Sequence, residues 1–181
     1  MAEGAAPTPD RPLERYRGYL LFLARSRLRS VSGKLDASDI VHDVLLKAHS
    51  RRDQCRAKTE GEWRGWLRRI LANAITDAFR EGGKEPTILH SLELSSLRLE
   101  RWLAADHTSP SGRFDRDQQL LQLADALAQL PEYERAALEM RYLQEPPASL
   151  AEIALRLNRP TAKAVASLLA RGLERLRGVM G

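Results

Sequence analysis

An all-α chain of two small domains is predicted by three observations. Apolar residues recur at helical spacing almost throughout, alternation of β-branched residues is absent, and glycine and proline gather between the periodic segments. Gly82-Gly83-Lys84-Glu85-Pro86 ends a first periodic block with residues that a helix interior tolerates poorly. A second block begins near Gln118. The expected division is therefore a domain over residues 11–82, a linker over residues 83–117 and a second domain over residues 118–181. Thr108-Ser109-Pro110-Ser111-Gly112 gives the linker its composition, and residues 91–103 are expected to form a short amphipathic helix inside it.

Charge separates the two blocks. Across its 181 residues the chain carries 29 basic and 24 acidic side chains, a net charge of +5, which is a mixed surface and not a polycation. Residues 11–81 hold 16 basic against 9 acidic side chains, whereas residues 118–181 hold 8 against 7, so an anionic partner is expected mainly at the first block. One cysteine, Cys55, cannot form an internal disulfide and reads as a reduced thiol. Residues 1–11 lack an apolar signal core, and no uninterrupted apolar run is long enough to span a bilayer. A soluble, cytoplasmic protein with no membrane insertion is expected.

Asp36-Ala37-Ser38-Asp39 opens a helix towards His49, because Asp36 can cap it and Asp39 sets negative charge near the positive end of its dipole. Ile40, Val41, Val44, Leu45 and Ala48 fall on one face, leaving Asp39, His42, Asp43 and Lys47 on the other. On residue types alone that outer face reads as solvated, with an i,i+4 Asp43 to Lys47 pair. A loop over residues 50–62 follows, with Arg51, Arg52, Arg56 and Lys58 as candidate phosphate contacts.

Trp63, Trp66, Leu67, Ile70, Leu71, Ala74, Ile75 and Ala78 then trace a core stripe over four turns. Opposite lie Arg69, Asn73, Thr76 and Arg80 in one straight row, flanked by Arg64 and Arg68. Guanidinium groups hold phosphate while Asn and Thr hydrogen-bond base edges, so the row suits nucleic acid, although a solvated face accounts for it equally well. Trp63 and Trp66 read first as core; an aromatic beside a basic loop can also stack on an unpaired base.

In the second block Leu120, Leu123, Ala124, Leu127 and Leu130 make a helix stopped by Pro131, and Tyr133 to Tyr142 supplies another. Ser149-Leu150-Ala151-Glu152 is a capping box opening a short helix. Asn158 suits the left-handed end, Arg159-Pro160-Thr161 turns the chain, and a longer helix runs through Val165, Leu168, Leu169, Leu173 and Leu176. Short helix, tight turn and longer helix make a helix-turn-helix. Its outward residues are Lys163, Ala166, Ser167, Ala170 and Arg171, of which only Lys163, Ser167 and Arg171 donate hydrogen bonds, so low affinity is expected from this block alone. His42, His49, His90 and His107 lack metal-ligand spacing with Cys55, and no glycine loop cradles a phosphate. No catalytic residue, metal or cofactor is expected.

With both blocks in view, residues 13–177 resemble the extracytoplasmic-function, or group IV, sigma factors of bacterial RNA polymerase, in the sigma-70 family. The segment from Asp36 to Ala48 is similar to region 2.2, and that from Trp63 to Arg80 to regions 2.3 and 2.4. Leu130-Pro131-Glu132-Tyr133-Glu134-Arg135, the capping box and the run from Arg171 to Arg177 are similar to region 4. His42 and Asp43 stand where the family often has Gln and Glu, and the recognition helix is richer in Ala and Leu than usual. The resemblance implies that Asp39, His42, Asp43 and Lys47 contact the clamp helices of the largest polymerase subunit. It also implies that Arg51, Arg52, Arg56, Lys58, Trp63, Arg64, Arg69, Asn73, Thr76 and Arg80 bind and open the minus-ten element, holding a flipped base. Arg159, Lys163, Ser167 and Arg171 would meet the minus-thirty-five element, with the flap of the second-largest subunit and an anti-sigma factor as further partners. From the residues alone a stand-alone helix-turn-helix regulator remains the alternative.

Overall fold

The computed structural model describes residues 12–28, 35–79, 85–105 and 113–180, and among them there are helices and turns but no strand. Two compact units divide between Glu93 and Leu94. In the first, a 3₁₀ turn at Leu13–Tyr16 leads into α1 (Arg17–Leu28), followed by α2 (Ala37–Ser50) and α3 (Glu60–Ala78). α2 packs on both α1 and α3. Tyr16, Tyr19, Leu20, Leu23, Leu67, Leu71, Ile75, Ile88 and Leu92 are the large side chains buried completely in this unit, the aliphatic ones each contributing roughly 1.5–3 kcal/mol on transfer from water.

The starts of α2 and α3 are chemically specified. Asp36 accepts from the Ser38 N–H at 2.7 Å, as the sequence suggests. Thr59 Oγ1 accepts from the Glu62 N–H at 3.2 Å while the Glu62 carboxylate accepts from the Thr59 N–H at 3.2 Å, a capping box that starts α3 three residues before Trp63. The stripe on α3 is buried at Trp63, Leu67, Ile70, Leu71, Ala74 and Ile75, but Trp66 is half-buried and Ala78 exposed.

The second unit contains α5 (Arg113–Gln129), α6 (Glu132–Leu138), α7 (Leu150–Arg156) and α8 (Ala162–Met180). α5, α6 and α7 all pack on α8. Where one continuous helix is expected from Tyr133 to Tyr142, α6 widens after Leu138 into a π-helical turn, Glu139–Leu143. The Ala148 N–H donates to the Met140 carbonyl at 3.0 Å and Arg141 Nη1 to the Ala148 carbonyl at 3.1 Å, which ties the proline loop back to that turn. The expected capping box is formed by Ser149 and Glu152, and Asn158 takes the left-handed conformation at φ 49°. Thr161 Oγ1 accepts from the Ala164 N–H at 3.1 Å at the start of α8. Gly172 lets α8 approach α6 closely: a Cβ there would lie 2.8 Å from Leu138 Cδ1.

The segment expected to be mostly linker is largely helical. α4 runs Glu85–Ala105, 21 residues in place of a short helix, and the boundary between the units falls inside it. Pro86 is read in the sequence as a stop, yet it lies in the first turn, where backbone N–H groups have no intrahelical acceptor to lose. Within the second unit, the half of α4 after Glu93 is fastened by Trp102, whose ring stacks on Tyr142 at 5.6 Å and 6°, and by Arg98 Nε, 3.7 Å from a Glu145 carboxylate oxygen. The glycine pair at Gly82-Gly83 and the Thr108 to Gly112 run lie outside the described residues.

Candidate nucleic-acid interface

The outer face of α2 exposes Asp39, His42 and Asp43, the expected dock, with Leu46 beside them at 57% exposure. An exposed leucine among charges is the apolar element the sequence reading leaves out; its spacing, three residues after Asp43, was the available signal. Lys47 turns differently. Its Nζ lies 3.9 Å from Asp77 Oδ2 on α3, so it bridges helices where an i,i+4 pair with Asp43 was expected.

That bridge forms one wall of a shallow depression of about 220 Å³ lined by Lys47, Arg51, Ile70, Asn73, Thr76 and Asp77. Four of these come from two expected groups: Lys47 from the dock, and Arg51, Asn73 and Thr76 from the minus-ten set. Asp77 is the residue the sequence reading leaves out, although its position four after Asn73 places it on the same side of α3. Thr76 Oγ1 donates to the Ala72 carbonyl at 2.8 Å, so its hydroxyl presents lone pairs and not its proton. Arg69 and Asn73 are exposed as expected, and Arg80 lies outside the described residues.

Two flanking arginines turn inward, against expectation. Arg64 is 6% exposed with its guanidinium 6.0 Å from the centre of the Tyr19 ring, and Arg68 Nη1 donates to the Tyr19 hydroxyl at 2.8 Å. The reason is α1, which sets the fully buried Tyr19 against that flank of α3 and offers both a π face and an acceptor. Trp63 is also enclosed, at 4% exposure, 5.1 Å from Trp66 and 6.0 Å from the Arg52 guanidinium. In this conformation it has no open face for a base, and Trp66 is the more accessible ring. Arg56 and Lys58 are exposed on the loop; burial pushes the neighbouring Cys55 thiol up, which keeps it protonated. The Glu62 carboxyl is held below the usual carboxylate range by the Lys58 N–H first and the Thr59 N–H second.

On the helix-turn-helix, three of the four expected contact residues are already engaged. The Arg159 guanidinium lies 3.9 Å over the Tyr133 ring, Ser167 Oγ donates to the Lys163 carbonyl at 3.2 Å, and Arg171 Nε donates to Glu134 Oε1 at 3.4 Å. Glu134, which the sequence marks only within the run similar to region 4, is 5% exposed. Lys163 remains exposed at the start of α8.

No helix of the described residues is long and apolar enough to cross a membrane, and none of their His, Cys, Asp and Glu side chains group in threes suited to a metal ion. A helical unit with a polar row along its third helix, joined to a helix-turn-helix unit, is the plan of a two-part DNA-binding transcription factor. The family comparison makes this specific: residues 13–85 match the Sigma-70 region 2 model and residues 126–178 match the Sigma-70, region 4 model, together covering more than half of the chain. The chain belongs to the sigma-70 family of sigma factors, and its pairing of region 2 with region 4 is the two-domain form typical of the extracytoplasmic-function class. No curated protein sequence matches it.

Proposed function

We propose that this sigma factor binds core RNA polymerase in the cytoplasm and directs initiation at particular promoters, with α3 as its principal reader and no reaction of its own. The observation that carries this is the adjacency, on one side of α3, of exposed Arg69 and Asn73 with the depression bounded by Lys47, Arg51, Thr76 and Asp77. An arginine placed for phosphate, an amide for base edges and a polar recess beside them are what strand capture at the minus-ten element requires. The acidic and apolar face of α2 suits a basic partner, supporting the clamp helices of the largest subunit as the dock. The second unit is then the weaker reader, at the minus-thirty-five element, with the polymerase flap as a further contact of core enzyme and an anti-sigma factor as a further partner of the chain.

Affinity comes from joining the sites. Core enzyme fixes both units on one promoter, so each contact becomes intramolecular and neither has to be tight alone. A stand-alone regulator would depend on the helix-turn-helix, whose Arg159 and Arg171 are taken up by Tyr133 and Glu134.

Asn73→Ala tests the reading. Core binding should stay within about twofold, while permanganate reactivity of unpaired thymines in the promoter falls about tenfold, a loss matching one missing base contact. Equal loss of core binding and opening would overturn it, as would operator binding and repression without core enzyme.

A further inference from the structure

We infer that Asp77, held by Lys47, selects the base captured in the depression, favouring bases that carry an exocyclic amino group and rejecting thymine. This rests on the proposal that the depression receives a flipped base, and deepens it. Asp77 lies on the last turn of α3 with its side chain 75% exposed, and the approach of Lys47 Nζ to Oδ2 is 3.9 Å. A contact that long orients the carboxylate by charge and leaves its lone pairs unsaturated.

The neighbouring acceptor is Thr76, whose proton is spent on the Ala72 carbonyl. Thr76 and Asp77 therefore line the recess as two adjacent acceptors, while Lys47 and Arg51 supply donors and Ile70 an apolar wall. An amino group has two hydrogens and can donate to both acceptors at once, and the ring acceptor or carbonyl beside it can take a hydrogen bond from Lys47. Cytosine, adenine and guanine each present such a group. Thymine offers a single imide N–H between two carbonyl oxygens. If that N–H met either acceptor, one carbonyl would be turned towards the lone pairs of the other, an arrangement without a bond and with unfavourable charge.

The test works without a defined promoter sequence. Holoenzyme, wild type or Asp77→Asn, selects from a pool of forked duplexes whose non-template single strand is randomised, and bound strands are sequenced. Asp77 is exposed, and its amide replacement keeps size while adding a donor that can satisfy thymine. Wild type should deplete thymine about tenfold at one position, and Asp77→Asn should erase that depletion there while leaving preferences elsewhere. Thymine at its starting frequency at every position in the wild-type pool, or a depletion that persists unchanged in Asp77→Asn, overturns the inference. If strands with an abasic analogue at each position in turn bind as well as the intact strand, the capture of a base fails as well, a separate outcome from captured bases without discrimination.

Discussion

Arg171 Nε donates to Glu134 Oε1 at 3.4 Å, joining the recognition helix α8 to a carboxylate whose side chain is only 7% exposed. Arg175 brings its Nε to 3.1 Å from the other oxygen at an angle that makes an ion pair without a hydrogen bond. Both arginines are more than half exposed, so solvent screens the pairing and water can recover them when the acid is lost. Glu134→Ala should therefore cost about 1–2 kcal/mol, less than breaking a fully buried pair. Thermal unfolding of the chain checks this, and non-specific DNA binding should rise as Arg171 is released.

The glycines of α8 give a matched pair with opposite signs. Gly178→Ala meets nothing within 4 Å and should stabilise by about 0.5–1 kcal/mol through helix propensity. At Gly172 a Cβ meets Leu138 Cδ1 at 2.8 Å, and Leu138 is fully buried, so about 1–3 kcal/mol of overpacking outweighs the same gain. Denaturant midpoints of the two variants should move in opposite directions.

Acidification should loosen both capping boxes. Glu62 is held low by the N–H groups of Lys58 and Thr59, and Glu152 by the backbone N–H and side chain of Ser149. Because both carboxyls titrate lower when folded, their contribution is complete above the ordinary carboxylate range and disappears as pH falls through the lowered folded values. Protection of the amides in the first turns of α3 and α7, taken relative to the intrinsic exchange rate at each pH, should fall across that acidic window, and Glu62→Gln should flatten the response at α3 alone.

Much of the fold was readable because it follows local rules. The stripes of α2 and α3, the capping box at Ser149 and the left-handed Asn158 follow from residues close in sequence. Thr59-Glu60-Gly61-Glu62 carries the same capping pattern, and reading it would have started α3 correctly. What escaped depends on neighbours far along the chain. Helical spacing identifies Arg64 and Arg68 as flanking residues, but only the position of Tyr19, 49 residues before Arg68, turns them inward. Arg171 and Glu134 are likewise 37 residues apart. Lys47 had an acid four residues earlier and paired with one on another helix instead.

Trp102→Ala should free the half of α4 that belongs to the second unit. Losing the stack on Tyr142 removes about 0.5–1.5 kcal/mol beyond the buried area. Amide exchange over residues 94–105 should speed up while the helix-turn-helix stays protected; unchanged exchange would assign the fastening to Leu99 and Leu103, which are buried on the same segment.

The winding of that helix sets how much length the segment can span. Wound, the 21 residues of α4 span roughly 31 Å, and drawn out they span roughly 70 Å. A partner that unwinds α4 would thus more than double the distance this segment can bridge, without adding a residue. Reach along a promoter would then be set by how many turns remain wound, and each turn held by Trp102 and Arg98 would shorten the tether by a fixed step.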